Sequence, residues 1–391
     1  MKLAVFPWPR RIGSKQFPLS QLPDPYLGWP MELYHELDSA AIARGGCCRF
    51  FDIELKDPKE GLAAVKEEYA RMRPDLTILF NPTHCNKADI CFFKGNTDGM
   101  LVLWETESPM LLRQRDHREN QNLFDSIVTY SRRKLACPRV LTQAIPYRHR
   151  FEMTEGKEFG ARNFMICIAT NRVYGPFGLL SSNLLSFSRV SSGQGWKTSR
   201  LRSFISRNEA TYDLRRRIVS KPNKNNDLPI DVAGYGWSGE KTSWLHRAFP
   251  ASAHPNTLGP IDNKHELLCD YRFNLIVENC LSDPDYISEK IFDSMVCGVV
   301  PVYLGAANIK SYIPDSCYVN VRDYESPSAC LEFCRDLTSR DWAKYRERIR
   351  NYCSSEAAGL FSPKTAVAKL FDHHQEYREA PRQFLAQKNH L

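Results

Sequence analysis

Residues 271–305 read YRFNLIVENCLSDPDYISEKIFDSMVCGVVPVYLG, and their pattern is the most informative in the chain. Residues 273–277 have the apolar pattern of a buried strand, and the polarity changes abruptly at Glu278 and Asn279. Apolar side chains then recur at helical spacing until Gly298, which ends the helix before another apolar run. Strand, helix and strand in this order predict a parallel sheet, whose ligands bind at the carboxyl ends of the strands.

The start of the predicted helix has the features of an anion site. Asp283 and Asp285 precede it as candidate caps, while Ser288, Glu289 and Lys290 occupy its first turn. The backbone N–H groups of a first turn and the positive end of the helix dipole favour a negative ligand. A lysine costs about a few tenths of a kcal/mol there unless an anion offsets it, so the pattern favours a bound phosphate.

The rest of the chain repeats the alternation of strands and helices. Short apolar runs rich in β-branched and aromatic residues predict strands at 3–6, 76–80, 90–93, 101–104, 164–169, 230–232, 273–277, 299–304 and 318–321. Mixed polar and apolar segments between them, such as residues 59–72, predict helices. The expected fold class is therefore α/β, with two parallel sheets covered by helices on both faces.

A polar, turn-prone stretch near residues 150–160 separates the two predicted sheets. We predict an amino-terminal domain at 1–155, a second domain at 156–365 and a helical tail at 366–391. Residues 174–195 lack a clear periodicity, and we predict a long basic loop or lid over residues 172–206 in the second domain.

The composition is that of a globular protein with one basic segment. The 391 residues are 42% apolar and 25% charged, which excludes a disordered or collagen-like chain. The net charge of +8 comes from residues 186–224, where ten Lys and Arg face two acidic residues, because the remainder has 43 of each sign. This pattern favours a local anionic ligand, such as a phosphate or an anionic membrane surface, over nucleic acid; a solvated basic loop is the alternative.

The 13 cysteines contain no CxxC pair and match no zinc-site spacing, so we expect reduced, mostly buried thiols. No run approaches the roughly 18 apolar residues of a membrane-spanning helix, and the first residues do not resemble a signal peptide. The expected location is cytoplasmic or peripheral to a membrane.

Three stretches resemble the family 10 glycosyltransferases, the α-1,3-fucosyltransferases. The run ENC-x5-YISEKIFDSMVCGVVPVYLG is similar to their donor-binding signature, in which EN is followed by Y-x-[TS]-E-K and a Gly- and Pro-containing strand. WETESPMLLRQ, followed by LFDSIVTYSRR, resembles the family's E-S-P segment and its F-x4-[ST]-Y stretch. ICIATNR, SRNEATYDL and IDVAGYG resemble a strand ending in a small polar pair, the segment of the donor-contacting arginine and a D-x-x-G strand.

The resemblance implies a GT-B fold, in which two Rossmann-like domains face a cleft, with the acceptor on the amino-terminal side and GDP-fucose on the carboxyl-terminal side. It implies an inverting transfer of fucose to a glycan hydroxyl, with Glu107 as the general base. The implied donor-binding residues are Arg207, Arg215, Asn279, Tyr286, Ser288, Glu289 and Lys290. Lys290 and one arginine would contact the diphosphate, and no metal or other cofactor is required.

Several alternatives remain open from the sequence. Arg216 and Arg217 compete with Arg207 and Arg215 for the diphosphate, and Glu105 competes with Glu107 as the base. Residues 283–285 have the D-x-D form of a metal site, but they lie where a helix cap is needed, and we prefer the cap. A transferase for another nucleotide sugar, or a non-catalytic carbohydrate- or membrane-binding protein, could also carry these motifs. The acceptor, the linkage and the oligomeric state are not encoded in a readable pattern.

Overall fold

A computed structural model describes most of the chain, and it divides into two units. The described residues are 1–6, 31–51, 58–81, 85–107, 120–132, 135, 137–147, 152–171, 209–220, 230–238, 254–281 and 283–379. Unit 1 comprises residues 1–150 and 359–391, and unit 2 comprises residues 151–358. The predicted basic loop at 172–206 and Arg207 lie outside the described residues.

Unit 1 contains a six-stranded sheet in which all neighbouring strands are parallel. Its strands are β1 (Lys2–Phe6), β2 (Cys47–Phe50), β3 (Leu76–Phe80), β4 (Met100–Trp104), β5 (Ser126–Thr129) and β6 (Val140–Thr142). Their spatial order is β2-β1-β3-β4-β5-β6. The helices that precede its strands are α1 (Met31–Ala43), α2 (Pro58–Met72) and α3 (Lys87–Gly95).

The sheet of unit 1 is covered on both faces, as the apolar runs predict. Leu3 and Val5 belong to one apolar cluster, whereas Ala4 and Phe6 of the same strand belong to another. Because side chains alternate across a strand, the two clusters lie on opposite faces of the sheet.

Unit 2 contains a second six-stranded parallel sheet. Its strands are β7 (Asn163–Ile168), β8 (Ile230–Ala233), β9 (Thr257–Gly259), β10 (Tyr271–Val277), β11 (Val300–Leu304) and β12 (Val319–Asn320). Their order, β9-β8-β7-β10-β11-β12, is the 3-2-1-4-5-6 order of a Rossmann domain. The α-helices described in this unit are α4 (Glu209–Ser220), α5 (Lys264–Leu268), α6 (Glu289–Val296), α7 (Pro327–Asp336) and α8 (Ser339–Cys353).

The predicted strand at residues 90–93 is wrong, because these residues lie within α3. Asn86 caps this helix by accepting from the Asp89 backbone N–H at 3.0 Å, while the Asp89 carboxylate accepts from the Asn86 N–H at 2.8 Å. This reciprocal capping box satisfies two N–H groups of the first turn and fixes a helix start directly before the apolar run.

The predicted helical tail at 366–391 lies, in the part that the structure describes, within a longer helix. Helix α9 (Pro363–Glu379) belongs to unit 1, and Ala366, Val367, Leu370 and Phe371 are buried in the same cluster as Leu3. The division between the units falls after residue 150, five residues before the predicted boundary. None of the helices in the described part of the chain combines the length and apolar character needed to cross a bilayer.

Candidate functional site

The order of the strands in unit 2 marks one place on its sheet as a ligand site. Strands β7 and β10 are neighbours in space, yet the chain proceeds from them toward opposite edges of the sheet. Open parallel sheets bind ligands outside the carboxyl ends of the two strands at such a switch point. Here those ends are followed by Thr170 and by Glu278 and Asn279.

Arg215 of α4 joins the two strand ends. Its side chain is 1% exposed and donates to the carbonyl oxygens of Thr170, at 3.2 Å, and Val277. It also donates to Asn279 Oδ1 at 3.2 Å. The rigid fork of a guanidinium group suits several acceptors at once, so Arg215 fixes the orientation of Asn279. The neighbouring Arg216 is half-buried and donates to Asn171 Oδ1 at 3.2 Å.

Glu278 is the buried carboxylate of this site. Its side chain has no solvent exposure, and it accepts from the Ser288 backbone N–H at 2.8 Å and from Lys290 Nζ at 3.3 Å. Burying a carboxylate is costly unless charge and hydrogen bonds compensate it, and both compensating donors lie at the start of α6. Glu278 therefore connects the end of β10 to the first turn of the helix.

The cap of α6 is Ser288, and the prediction of Asp283 and Asp285 as caps is wrong. Ser288 Oγ accepts from the Lys290 backbone N–H at 3.5 Å and from Lys290 Nζ at 2.9 Å. Asp285 adopts a left-handed backbone, with φ of 71°, and its carboxylate accepts from Asn308 Nδ2 and the Tyr312 hydroxyl, both at 2.6 Å. The helix begins later than the aspartates because the chain turns at Asp285 before it enters α6.

The remaining predicted donor residues flank the same helix start. Tyr286 is buried, with 2% of its surface exposed, whereas Glu289 and Lys290 are partly exposed. Ser288, Glu289 and Lys290 thus stand together at one helix terminus, as the sequence predicts. The ammonium of Lys290 and the first-turn N–H groups can attract a phosphate group at this end of α6.

Further along α6, a buried ion-pair cluster fixes the helix to α5. Asp293 lies 2.5 Å from Lys264 Nζ and accepts from His265 Nε2 at 2.8 Å. Burial alone would raise the pKa of Asp293, but the charge of Lys264 and the hydrogen bond from His265 lower it well below its ordinary range. The helix ends at Gly298, whose φ of 62° and N–H bond to the Met295 oxygen at 3.0 Å form a C-terminal cap, as predicted.

The residues packed near Glu278 include Tyr303, Gly305 and Arg322, which the sequence analysis did not identify. The Tyr303 hydroxyl accepts from the Ala306 N–H at 3.1 Å, and Arg322 donates to the Gly305 oxygen at 3.0 Å. A Cβ atom at Gly305 would overlap the Tyr303 hydroxyl and the Glu278 side chain, so the close packing requires glycine. Burial, together with the Glu278 charge, raises the pKa of Tyr303 well above its ordinary value. In the sequence, the feature that could have indicated this close packing is Gly305, the last residue of the 271–305 stretch.

In unit 1, the candidate base Glu107 follows β4. The side-chain oxygen of Asn81, which follows β3 with a φ of 38°, accepts from the backbone N–H groups of Thr106 at 3.0 Å and Glu107 at 3.4 Å. Glu105 is buried at 5% exposure, whereas Glu107 is partly exposed. Glu107 is therefore the more accessible of the two, and the sequence analysis did not identify Asn81 as the residue that holds its backbone.

Within the described ranges, no group of three His, Cys, Asp or Glu side chains is arranged to hold a metal ion. The polar groups at the switch point instead offer hydrogen-bond donors and an ammonium, which suit an anionic ligand. None of the 13 cysteines forms a disulfide.

Comparison with known proteins defines the class to which this site belongs. The fold is similar to the Anabaena HepE crystal structure in complex with UDP and glucose, with a TM-score of 0.53, 11% identity and coverage of 96% of this chain and 100% of that one. Two parallel-sheet α/β units of this kind constitute the GT-B fold of glycosyltransferases. The family model described as "Glycosyltransferase family 10 (fucosyltransferase) C-term" matches residues 197–358. This segment includes the motifs at residues 271–305, so the match agrees with the resemblance found in the sequence.

Curated relatives align with part of this chain. A zebrafish (Danio rerio) GDP-fucose protein O-fucosyltransferase 3 is 38% identical over 122 residues, which are 30% of this chain and 25% of that protein. The Helicobacter pylori α-(1,3)-fucosyltransferase FucT is 27% identical over 171 residues, or 43% of this chain and 34% of the relative. The chain therefore spans about a quarter to a third of the length of these relatives.

Proposed function

We propose that the protein transfers fucose from GDP-fucose to an acceptor hydroxyl, with inversion at the anomeric carbon and without a metal. The observation that carries the proposal is the polar cluster at the switch point of unit 2, which lies within the segment that matches the family. In a single displacement the acceptor oxygen attacks the anomeric carbon, the bond to the diphosphate breaks, and the linkage changes from β to α.

The residues of unit 2 would bind the donor. In this proposal Lys290 and either Arg207 or Arg215 contact the diphosphate, where their charges stabilise the departing GDP. The carboxylate of Glu289 accepts from the ribose hydroxyls. Asn279 and Tyr286 contact the nucleotide or the fucose. The bond from Arg215 to Asn279 supports a role for Arg215 in holding that contact in place.

Glu107 would remove the proton from the acceptor hydroxyl. A sugar hydroxyl is a weak nucleophile, and a carboxylate within hydrogen-bond reach accelerates its attack by roughly 10²- to 10⁴-fold. The partial exposure of Glu107 and the bond from its backbone to Asn81 support this assignment over the buried Glu105.

The donor is tested by thermal unfolding of the protein with GDP-fucose, GDP-mannose or UDP-glucose. A ligand that binds only the folded state raises the melting temperature by mass action. The proposal expects the largest rise with GDP-fucose; a larger rise with another nucleotide sugar would favour the alternative transferase. EDTA should leave the GDP-fucose response and the turnover unchanged, and their loss would contradict the metal-free proposal.

Lys290→Gln tests the diphosphate contact. The substitution removes the ammonium and retains a polar side chain, so the affinity for GDP should fall by about tenfold or more. The matched control is Lys310→Gln, an exposed lysine of the same unit, which should bind GDP like the unmodified protein. Equal affinities of the two variants would contradict the proposed role.

Arg207 and Arg215 are separated by comparing their lysine variants. A residue that contacts the diphosphate should lose GDP affinity in the lysine variant, because lysine retains the charge but lacks the bidentate fork. A positioning role for Arg215 predicts a smaller loss of GDP affinity and a larger loss of turnover. If both lysine variants bound GDP and turned over like the unmodified protein, neither arginine would contact the diphosphate and Arg215 would have no positioning role.

Glu107→Gln tests the base. The variant should lower turnover by roughly 10²-fold or more and retain its GDP affinity, because the group acts on the acceptor. Glu105→Gln is the comparison, and a greater loss there would move the role to Glu105. Since the zebrafish relative is a protein O-fucosyltransferase, the assay should include a Ser- and Thr-containing polypeptide beside lactosamine glycans.

A further inference from the structure

Two cysteines meet at the carboxyl ends of α5 and α6, although 28 positions separate them in the chain. Both approach the backbone oxygen of His265: the Cys269 N–H donates to it at 3.1 Å and the Cys297 thiol donates to it at 3.5 Å. The Cys269 backbone and the Cys297 thiol thus share one acceptor atom, and the two cysteines are not joined by a disulfide.

A buried guanidinium group supplies positive charge beside this pair. Arg162 is 3% exposed and donates to backbone carbonyl oxygens, including those of Lys157 at 2.6 Å, Tyr271 at 3.0 Å and Cys297 at 3.4 Å. Carbonyl groups satisfy its hydrogen bonds without neutralising its charge. A cation held in this way favours the thiolate form of a nearby cysteine.

The charges around Cys269 act in both directions, with a net result. The Cys297 thiol and the cations of Arg162 and Lys157 favour its thiolate, while burial and the Asp270 carboxylate oppose it. Together these groups lower the pKa of Cys269 to about 7. Cys269 is also partly exposed, whereas Cys297 is buried at 2% exposure. Cys269 is therefore the thiol that an oxidant in solution reaches as a nucleophile.

Another pair in the same unit provides a contrast. Cys330 and Cys334 lie one turn apart in α7 and are both buried. The neighbouring Cys330 thiol and burial raise the pKa of Cys334 well above its ordinary value. Proximity of two thiols is common to both pairs, but the accessible thiolate belongs to Cys269.

We propose that Cys269 and Cys297 are a redox modification site, at which a peroxide forms a reversible disulfide. The Cys269 thiolate attacks one oxygen of hydrogen peroxide; the O–O bond breaks, an S–O bond forms and hydroxide leaves. The sulfur of Cys297 then attacks the Cys269 sulfur, the S–S bond forms and the sulfenic oxygen leaves as water with the Cys297 proton. Two electrons pass from the two sulfurs to peroxide, and the proton released by Cys269 converts the hydroxide to a second water.

The disulfide would close a loop that contains all of β10 and α6. Glu278, Asn279, Ser288 and Lys290 lie inside this loop, yet none of them takes part in the chemistry. A cross-link restricts the unfolded chain, so oxidation should stabilise unit 2 against unfolding. The proposal is independent of the donor and of the reaction proposed above.

The first experiment treats the full chain with a small excess of hydrogen peroxide, blocks the remaining thiols and identifies linked peptides by mass spectrometry. The expected product joins Cys269 to Cys297 and disappears after treatment with dithiothreitol. Cys269→Ser and Cys297→Ser should each abolish it, while the control Cys330→Ser should retain it. The oxidised protein should melt several degrees higher than the reduced one. Irreversible oxidation of Cys269 without a linked peptide, or a bridge confined to other cysteines, would overturn the proposal.

A second measurement uses the unmodified sequence and so does not depend on the folding of a variant. Iodoacetamide labelling of the native protein is followed at each cysteine between pH 5 and 9. The labelling rate of Cys269 should reach half of its limiting value near pH 7. At that pH Cys269 should react at least about tenfold faster than Cys334. Equal labelling of Cys269 and Cys334 at pH 7 would contradict the assignment of Cys269 as the attacking thiolate.

Discussion

At the scale of single residues, the candidate donor site depends on a carboxylate that the ligand would not touch. Glu278 is fully buried and accepts from the backbone of Ser288 and from the ammonium of Lys290. It holds the Lys290 ammonium at the helix start. A bound diphosphate would offer Lys290 a second anionic partner, so the lysine is positioned before the ligand arrives.

Glu278→Ala should destabilise the protein by about 2–4 kcal/mol, because it removes the acceptor of a buried N–H and the counter-charge of Lys290. The measurement is urea unfolding at pH 7. Glu325→Ala is the control, since Glu325 is exposed in the same unit, and its stability should lie within about 0.5 kcal/mol of the unmodified protein. A Glu278 variant as stable as this control would show that the buried carboxylate is dispensable.

At the scale of elements, the carboxyl end of α6 is as constrained as its start. Gly298 has a φ of 62°, and a Cβ atom there would stand 2.8 Å from the Thr154 oxygen and 3.0 Å from Arg346 Nη2. Gly298→Ala should therefore destabilise the protein by about 1–3 kcal/mol in denaturant titrations.

Gly95→Ala is the matched comparison for Gly298→Ala. Gly95 is exposed in α3, and an added Cβ would meet no atom within 4 Å. Alanine should stabilise that helix by about 0.5 kcal/mol, because it restricts the unfolded chain. If both variants shifted stability in the same direction, the backbone argument for Gly298 would be wrong.

The ion-pair cluster between α5 and α6 should give the protein a specific acid sensitivity. The folded-state pKa of Asp293 is lowered below its unfolded value of about 3.9, so its stabilisation is present above that pH and is lost as the pH falls through the folded pKa. Asp293→Asn should be less stable than the unmodified protein at pH 7, with a gap that narrows toward pH 2. Urea unfolding at several pH values measures this gap, and Asp262→Asn, at an exposed position, should show no such trend.

The elements around the site differ in how far their sequence determines them. The strand at 273–277 and the glycine end of α6 were predictable, because apolar periodicity and Gly298 act through local geometry. The apolar run at residues 90–93 was mistaken for a strand, because a run of only four apolar residues fits a strand and a buried helix segment alike. The cap at Ser288 was missed because Asp285 satisfies its carboxylate with Asn308 and Tyr312, which come later in the chain.

The contacts of the buried Arg215 likewise could not be predicted from the sequence alone. The sequence pattern indicated several candidate arginines. The hydrogen-bond acceptors of Arg215 belong to Thr170, Val277 and Asn279, which are far from it in the chain. Those contacts arise only when β7 and β10 become neighbours in the sheet. Residue type and spacing could therefore indicate an arginine in this region, but only the fold distinguishes its partners.

At the scale of the whole molecule, unit 1 depends on both ends of the chain. Leu370 of α9 is fully buried in the cluster that also contains Leu3 and Val5. Leu370→Ala should cost about 2–4 kcal/mol, through lost burial and a residual cavity. The control is Ile42→Ala, because Ile42 is 60% exposed in α1 of the same unit.

Hydrogen exchange locates the effect of Leu370→Ala. Peptides from β1 and β3 should exchange faster in this variant, because both strands contribute to the affected cluster. Peptides from β10 and α6 in unit 2 should exchange at the rate of the unmodified protein. Faster exchange confined to unit 2 would contradict the assignment of α9 to unit 1.

The discontinuity of unit 1 has a consequence for how the protein is made. A ribosome releases residues 1–150 long before it releases α9, and it completes all of residues 151–358 in between. The Rossmann sheet that carries the candidate donor site can therefore close its own core on the nascent chain. The first sheet must wait, with the surface later covered by Leu370 and Phe371 still exposed to water, until α9 leaves the exit tunnel.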